Sequence, residues 1–539
     1  MIPKSALTQL GKQIARTLSG GAPASGLEDV GAILAADPDA AVDVIDLLTA
    51  ESRKKKPNST LIEAYGIMLG RTLEVWRYGV ERRHAAAEAS VQRVRDRVRA
   101  LAADGTLASA PLMLVLRQFG TARLEPGADL QKAMSEAVEM EVAEAGVTAL
   151  DIGDALMEMA DAFDGDMFGF QAHLAEQSAA FPESQRAGFA AALLLTKAPS
   201  LWEAAIGWLL DPSPATRRDV AGLIQQTTDE GRVSPEMLRR MIVMRNWIPD
   251  EDRQWIDAAI RTCRQKAIDC AAMPEVAVRE VAASGIDGSG SQSIFIVVKD
   301  GRRQAVAGLL LQQGVGVRDA WVRTGLTKSE IGQFRAQIAD QAACYQSNLD
   351  YVRLALGQAL AASLDSGTLP PFGLIDFVER GGLSGVNPQD IPVPDLVDRL
   401  ISVPPELTET GPETAPEAGA DAGAAEDRTW DLPFMESWFE DDGAIDEELS
   451  RKRLSAKRRT DLVREKFLSL RRDRWASLLA WTAFTLRQDK ACGDAWRPFA
   501  SAARDLHDQR PLADIPLMTW VAERTVEAWE LRRQVENNW

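Results

Sequence analysis

At 539 residues, 46% of them hydrophobic, the chain has room for about three or four domains with real cores, which excludes wholesale disorder. A formal charge of −18 and a pI near 4.9 exclude a protein that coats nucleic acid or anionic membrane over its whole surface, while leaving room for a local basic patch. Four scattered cysteines (Cys263, Cys270, Cys344, Cys492) form no disulfide framework and fit a reducing, cytoplasmic setting, and three dispersed histidines (His84, His173, His507) are poor stock for a zinc site or a catalytic triad.

Residues 1–26 carry no acid and place Ala6, Leu7, Leu10, Ile14 and Leu18 on one helical face. That pattern predicts a short amphipathic helix docked on the body; an organelle transit peptide is the competing reading. No run reaches the roughly 18 apolar residues of a membrane-spanning helix.

Residues 27–270 read as helix after helix on a 3.6-residue apolar period. The expected helices include Val30–Leu48, Thr60–Arg83, His84–Ala103, Leu150–Ala180 and Asp250–Cys270, the last with Cys263 and Cys270 on one face. Short breaks between them imply antiparallel neighbours. The acids Asp154, Glu158 and Asp161 share a helical face, and Asp164-Gly165-Asp166 looks like a turn; without paired histidines this reads as a solvated face rather than a metal site.

Within this array, Leu209-Leu210-Asp211-Pro212-Ser213-Pro214-Ala215 leads into Arg217 and the apolar run Val220–Ile224. The stretch Leu201–Gln225 resembles the inter-helix corner of a HEAT-type repeat, with an echo at residues 33–48 that lacks the arginine. The resemblance implies a partly HEAT-like solenoid and a protein-binding surface.

Residues 271–327 are the part that reads as β. Ser293–Val298 and Arg303–Leu311 are β-branched apolar runs around Lys299-Asp300-Gly301-Arg302, and Asp-Gly is a hairpin signal. The preceding loop, Asp287, Gly288, Ser289, Gly290 and Ser291, clusters backbone N–H donors. Loop, strand, turn and strand together resemble the first phosphate loop of actin-like sugar kinases. That resemblance implies a magnesium-assisting Asp287 and a phosphate cradle at Gly288–Ser291, although the family's further phosphate motifs are missing downstream.

Residues 328–403 return to helix. Residues 404–429, rich in Pro, Ala, Glu and Gly, read as a disordered acidic linker. Residues 430–539 hold eight of the fourteen tryptophans and read as a helical bundle, with helices near Ser450–Gln488, Cys492–Leu506 and Ile515–Asn537. Eleven basic residues lie between Arg451 and Arg474, just after the acidic and aromatic stretch Asp431–Glu448. Either the two stretches neutralise each other, or they bind partners through Trp438, Phe439, Arg451, Arg453, Arg458 and Arg459.

The expected architecture is mainly α: an irregular antiparallel helical array, a small β-hairpin element and a separate C-terminal helical bundle. The expected function is a non-enzymatic scaffold or adaptor that binds other proteins, without cofactor or metal. A nucleic-acid factor using helix 451–474 and a nucleotide-handling enzyme using the 287–291 loop are the alternatives.

Overall fold

The computed structural model describes residues 2–20, 28–145, 149–402, 432–451 and 454–537; the expected linker, Trp430, Arg453 and Trp539 lie outside the described residues. Among these the fold is mainly α, with one small antiparallel sheet and a C-terminal helical domain. The chain divides into two compact units, Met1–Met237 with Arg261–Ile268 and Asp442–Ala444, and Leu238–Ile260 with Asp269–Asp441 and Ile445–Trp539. No helix among the described residues is long and apolar enough to cross a membrane.

In the first unit the amphipathic N-terminal segment forms the helix Lys4–Ser19 and drives Leu7 and Ile14 into a core shared with Leu34, Val44, Met68, Leu69, Val98 and Phe119. Each such side chain contributes about 1.5–3 kcal/mol on leaving water. Gly11 lies so close to the Tyr65 ring that a Cβ there would meet it at 2.6 Å, which fixes how this helix seats.

Two expected helices are divided by local chemistry. Val30–Leu48 splits at Asp37-Pro38 into Glu28–Ala35 and Pro38–Ser52, because proline begins a helix more readily than it continues one. Leu150–Ala180 splits into Ala149–Asp161 and Met167–Ser178; Asp164 and Gly165 adopt positive φ, and the Asp166 carboxylate caps the second helix by accepting from Gly169 N at 3.0 Å. The last helix of the array ends at Gln265, so Cys263 is buried while Cys270 lies beyond it, exposed, and the two do not share a helical face.

At the Asp-Pro corner, Arg217 donates to the Asp211 and Pro212 carbonyl oxygens (2.6 and 2.8 Å), and Ser213 N donates to Asp211 Oδ1 (2.8 Å). The guanidinium thus satisfies carbonyls that the turn between Leu210 and Pro214 leaves without helical partners. The Asp37-Pro38 corner has no arginine; there the Asp37 carboxylate accepts from Ile2 N.

In the second unit the expected hairpin is the centre of a larger sheet. Its strands are β1 (Val278–Ser284), β2 (Ser291–Asp300), β3 (Arg303–Gln312), β4 (Gly316–Leu326) and β5 (Cys344–Gln346), in the order β4-β3-β2-β1-β5, all antiparallel. Asp300 pairs with Arg303, leaving Gly301-Arg302 as a two-residue turn with Gly301 at φ +56°. β5 falls where the apolar period suggested the end of a helix. The helix Lys328–Gln341, which starts on a Thr327–Glu330 capping box, stops short of it.

Helices Leu349–Ser366 and Gly373–Gly381 pack on this sheet. Within the same unit, buried Glu379 receives Arg239 Nη2 and Nε (2.8 and 3.2 Å) together with Arg240 Nε and Nη2 (both 3.1 Å), while Arg239 Nη1 donates to Ala272 O (2.7 Å). Two buried guanidiniums share this carboxylate, so its removal leaves uncompensated charge in the core. We expect Glu379→Ala to lower the stability of this unit by about 3–5 kcal/mol, read as an earlier denaturation midpoint by circular dichroism. A midpoint equal to that of the parent would show that the triad holds nothing in place.

Candidate functional site

Two of the groups singled out in the sequence meet each other. Asp287 Oδ1 accepts from Ser289 N (2.9 Å), Ser289 Oγ (2.6 Å) and Ser291 N (2.8 Å), and Gly288 N donates to Ser437 Oγ (3.0 Å). The loop's donors therefore already hold a carboxylate and a serine. A Cβ on Gly288 would overlap the Ser437 carbonyl, so the segment 432–441 lies directly against the loop. The residues of the phosphate-loop resemblance, Asp287, Gly288, Ser289, Gly290 and Ser291, thus close the loop on itself and on its neighbour.

Trp438 is also placed differently from a free anchor. It is fully buried, its Nε1 donates to Ile286 O (2.8 Å), and its ring meets Trp475 and Phe499 edge-on with centroids 5.8 and 5.7 Å apart. Phe439 is half-buried beside it. Buried Glu440 accepts from Trp475 Nε1 (2.7 Å), Arg471 Nη1 (2.5 Å) and Arg474 Nη1 (3.1 Å), and Arg474 also donates to Gly288 O. Of the other C-terminal tryptophans described, Trp481, Trp496 and Trp529 are buried and Trp520 is half-buried, which is the core role expected of them.

The basic stretch is broken rather than one helix. It runs through Gly443–Arg451, Ala456–Leu462, a π-turn at Val463–Phe467, a tight turn at Leu468–Arg471, and then Arg472–Gln488. Its charges largely pair with acids: Arg451 with Glu447, Arg459 with Glu530 (2.7 Å), Arg464 with Asp461 (2.6 Å) and Lys466 with Glu448 (3.1 Å). The acidic stretch does neutralise the basic one, through Glu440 and Glu448. Arg458 is exposed and its guanidinium has no partner among the described residues, and Arg453 lies outside them. The nearby cleft of about 630 Å³ sets Lys457 and Arg464 against Asp461, Glu523, Glu527 and Glu530, a lining with more acid than base.

Asp154, Glu158 and Asp161 stand exposed on their helix, and among the described residues no group of three or more His, Cys, Asp or Glu is arranged to hold a metal. A buried polar knot ties the sheet to two helices. Tyr351 OH donates to Gln292 Oε1 (2.8 Å) and lies 2.7 Å from Thr485 Oγ1, while Gln292 Nε2 donates to Ser284 O (2.9 Å) and Thr485 Oγ1 (3.1 Å). Burial pushes the Tyr351 phenol up to about 12, and burial likewise raises Tyr345 to about 12.

One cluster escaped sequence reasoning altogether. At the hairpin end of the sheet a cleft of about 510 Å³ is lined by Arg279 of β1, Lys299 of β2, Arg302 in the turn, Arg303 of β3 and Lys328 at the start of the following helix. All five are exposed. The Lys-Asp-Gly-Arg-Arg string was read for its turn, and its charge joins Arg279 only through the β1–β2 register, which sets Val278 opposite Val298.

Comparison with known proteins places three stretches of the chain. Residues 4–126 match the model described as the uncharacterised protein y4lR N-terminal domain, residues 182–267 the Y4lR second domain, and residues 402–530 the Y4lR C-terminal helical domain. The "Uncharacterized protein y4lR" of Sinorhizobium fredii (strain NBRC 101917 / NGR234) is 30% identical over 388 residues, spanning 70% of this chain and 72% of its own length. No solved structure matches.

Two measurements follow from this geometry. Because folding keeps Tyr345 and Tyr351 protonated, their contribution to stability is whole below pH 10 and is lost as pH rises toward about 12. Alkaline unfolding followed with tyrosinate absorbance should show that loss, and Tyr351→Phe should shrink it while costing about 1–3 kcal/mol at neutral pH through the unmatched Gln292 and Thr485. In a second test, Gly288→Ala should release the 432–441 segment, seen as faster limited proteolysis there and a red-shifted tryptophan emission. Unchanged cleavage and emission would contradict the close packing.

Proposed function

We propose that this chain, which belongs to the y4lR family, is a non-enzymatic scaffold or adaptor that binds other proteins. The observation that carries this reading is where its reactive-looking groups go. Asp287 caps its own loop, Trp438 is core, Glu440 holds Arg471 and Arg474, and the basic stretch is largely matched by acids. Chemistry that could have been turned outward is directed inward.

Surface is what such a body offers. In the first unit the side chains of Ile33 and Tyr78, 56% and 49% exposed, sit on the neighbouring helices Glu28–Ala35 and Ser59–Glu81. We take Ile33 and the Tyr78 ring, over which Arg77 lies at 4.2 Å, as surface that a partner would cover. The HEAT-like character of the Asp-Pro corner belongs to the same reading, since helical arrays of that kind work through their outer faces. The nucleic-acid alternative at 451–474 is weakened by the pairing of its charges.

The experiment is affinity capture from native lysate with the full chain, with and without nuclease. We expect a stoichiometric protein partner that survives nuclease and is lost with Ile33→Asp and Tyr78→Asp. Saturable ATP binding that disappears in Asp287→Ala would overturn the scaffold reading in favour of an enzyme.

A further inference from the structure

We propose that the cationic cleft at the hairpin end of the sheet is a nucleic-acid backbone site, which goes beyond the scaffold reading and does not depend on it. The arrangement is a row. Arg279, Lys299, Arg303 and Lys328 stand at the same end of β1, β2, β3 and the β4–helix junction, with Arg302 projecting in the turn between Lys299 and Arg303. Adjacent strands lie about 4.7–4.9 Å apart, so four of them carry these cations across roughly 14 Å. A row of that length faces more than one successive phosphate of a strand. A single phosphate would need a pocket, not a row.

The charge is available. Glu280 pairs with Arg335, Asp300 accepts from Gly325 N (3.0 Å), and Glu330 accepts from Thr327 N and Oγ1 (both 2.7 Å) in the helix cap. The nearby carboxylates thus have other partners, whereas Arg279, Lys299, Arg302 and Lys328 form no ion pair among the described residues. In a chain of net charge −18, a set of exposed cations left unmatched would draw a polyanion to this end of the sheet.

The make-up of the row suits a phosphodiester backbone. Three of the five lining cations are arginines, whose forked donors grip phosphate oxygens in pairs. Farther along β4, Arg323 lies 5.1 Å over the Trp321 ring, which packs on Phe295 and Phe334. The row is exposed along its length, so the occupant is a single strand with its backbone along it.

The test is fluorescence anisotropy with the full chain and a short, labelled, mixed-sequence single-stranded oligonucleotide at several salt concentrations. We expect binding at low salt, a slope of log affinity against log salt that falls by about 0.7 for each cation removed in Lys299→Ala and Arg302→Ala, and a loss on the order of tenfold in the double variant. These side chains are exposed, so unchanged circular dichroism is expected alongside. Arg458→Ala, at the unpartnered arginine of the other basic stretch, should leave affinity as it was. Absence of binding at low salt would overturn the proposal, as would a loss that follows Arg458→Ala instead. Equal competition by polyglutamate would assign the cleft to an acidic protein. Displacement by inorganic phosphate at equal charge concentration would reduce it to a small-anion site.

Discussion

The carboxylate of Glu440 is the point on which the second unit depends. It is buried, and it accepts from the Trp475 indole and from two guanidiniums, Arg471 and Arg474. A lone buried carboxylate is expensive; one facing two arginines and an indole N–H is satisfied, but only if all three stay in place. The break in the helix before Arg472 lets Arg471 and Arg474 reach it together, and Arg474 then extends to Gly288 O on the sheet. One anion thereby fixes three pieces of chain that are far apart in sequence: the loop before β2, the segment 432–441 and the start of helix Arg472–Gln488.

The same logic recurs at Glu379, which gathers Arg239 and Arg240, and in uncharged form at Tyr351, Gln292 and Thr485. Each network joins elements more than fifty residues apart and leaves its members satisfied. Such networks add little net free energy compared with a well-packed apolar core, but they penalise every arrangement in which a member loses its partners. The apolar contacts of Trp438 with Trp475 and Phe499 supply the larger favourable term, and the polar groups select the geometry in which it is realised.

This division explains what the sequence could and could not reveal. Helix existence was legible, because a 3.6-residue apolar period is a local property; Ser59–Glu81 and Ala85–Ala103 fall within two residues of expectation. The breaks were harder, since Asp37-Pro38 and Asp164-Gly165 sit inside runs whose apolar period continues across them. The hairpin announced itself through Asp-Gly and β1 lies in the stretch that reads as β, but β5 did not announce itself, because Cys344–Gln346 acquires its strand character from a neighbour brought in over long range. Three of the candidate residues turn inward in the same way. Asp287, Gly288 and Trp438 were picked out for chemistry that faces outward, and that chemistry is complementary to other parts of the same chain. Local sequence shows that a donor or an aromatic ring is present; it does not show that its partner lies about 150 residues away.

Charge carries the argument one step further. With eighteen more acids than bases, the chain has a carboxylate for nearly every cation, and along Arg451–Arg474 most of them are matched: Glu440, Glu448, Asp461 and Glu530 each hold a neighbouring base. Elsewhere, four exposed cations that form no ion pair among the described residues fall at one end of one sheet. The strand register puts them there. Alternation sends successive side chains to opposite faces, while the ends of strands in register bring residues of distant sequence side by side. The basic run that is conspicuous in sequence is therefore largely silent in the fold, and the basic surface that stands open is assembled from Arg279, Lys299, Arg302 and Lys328, no two of which are adjacent in the chain.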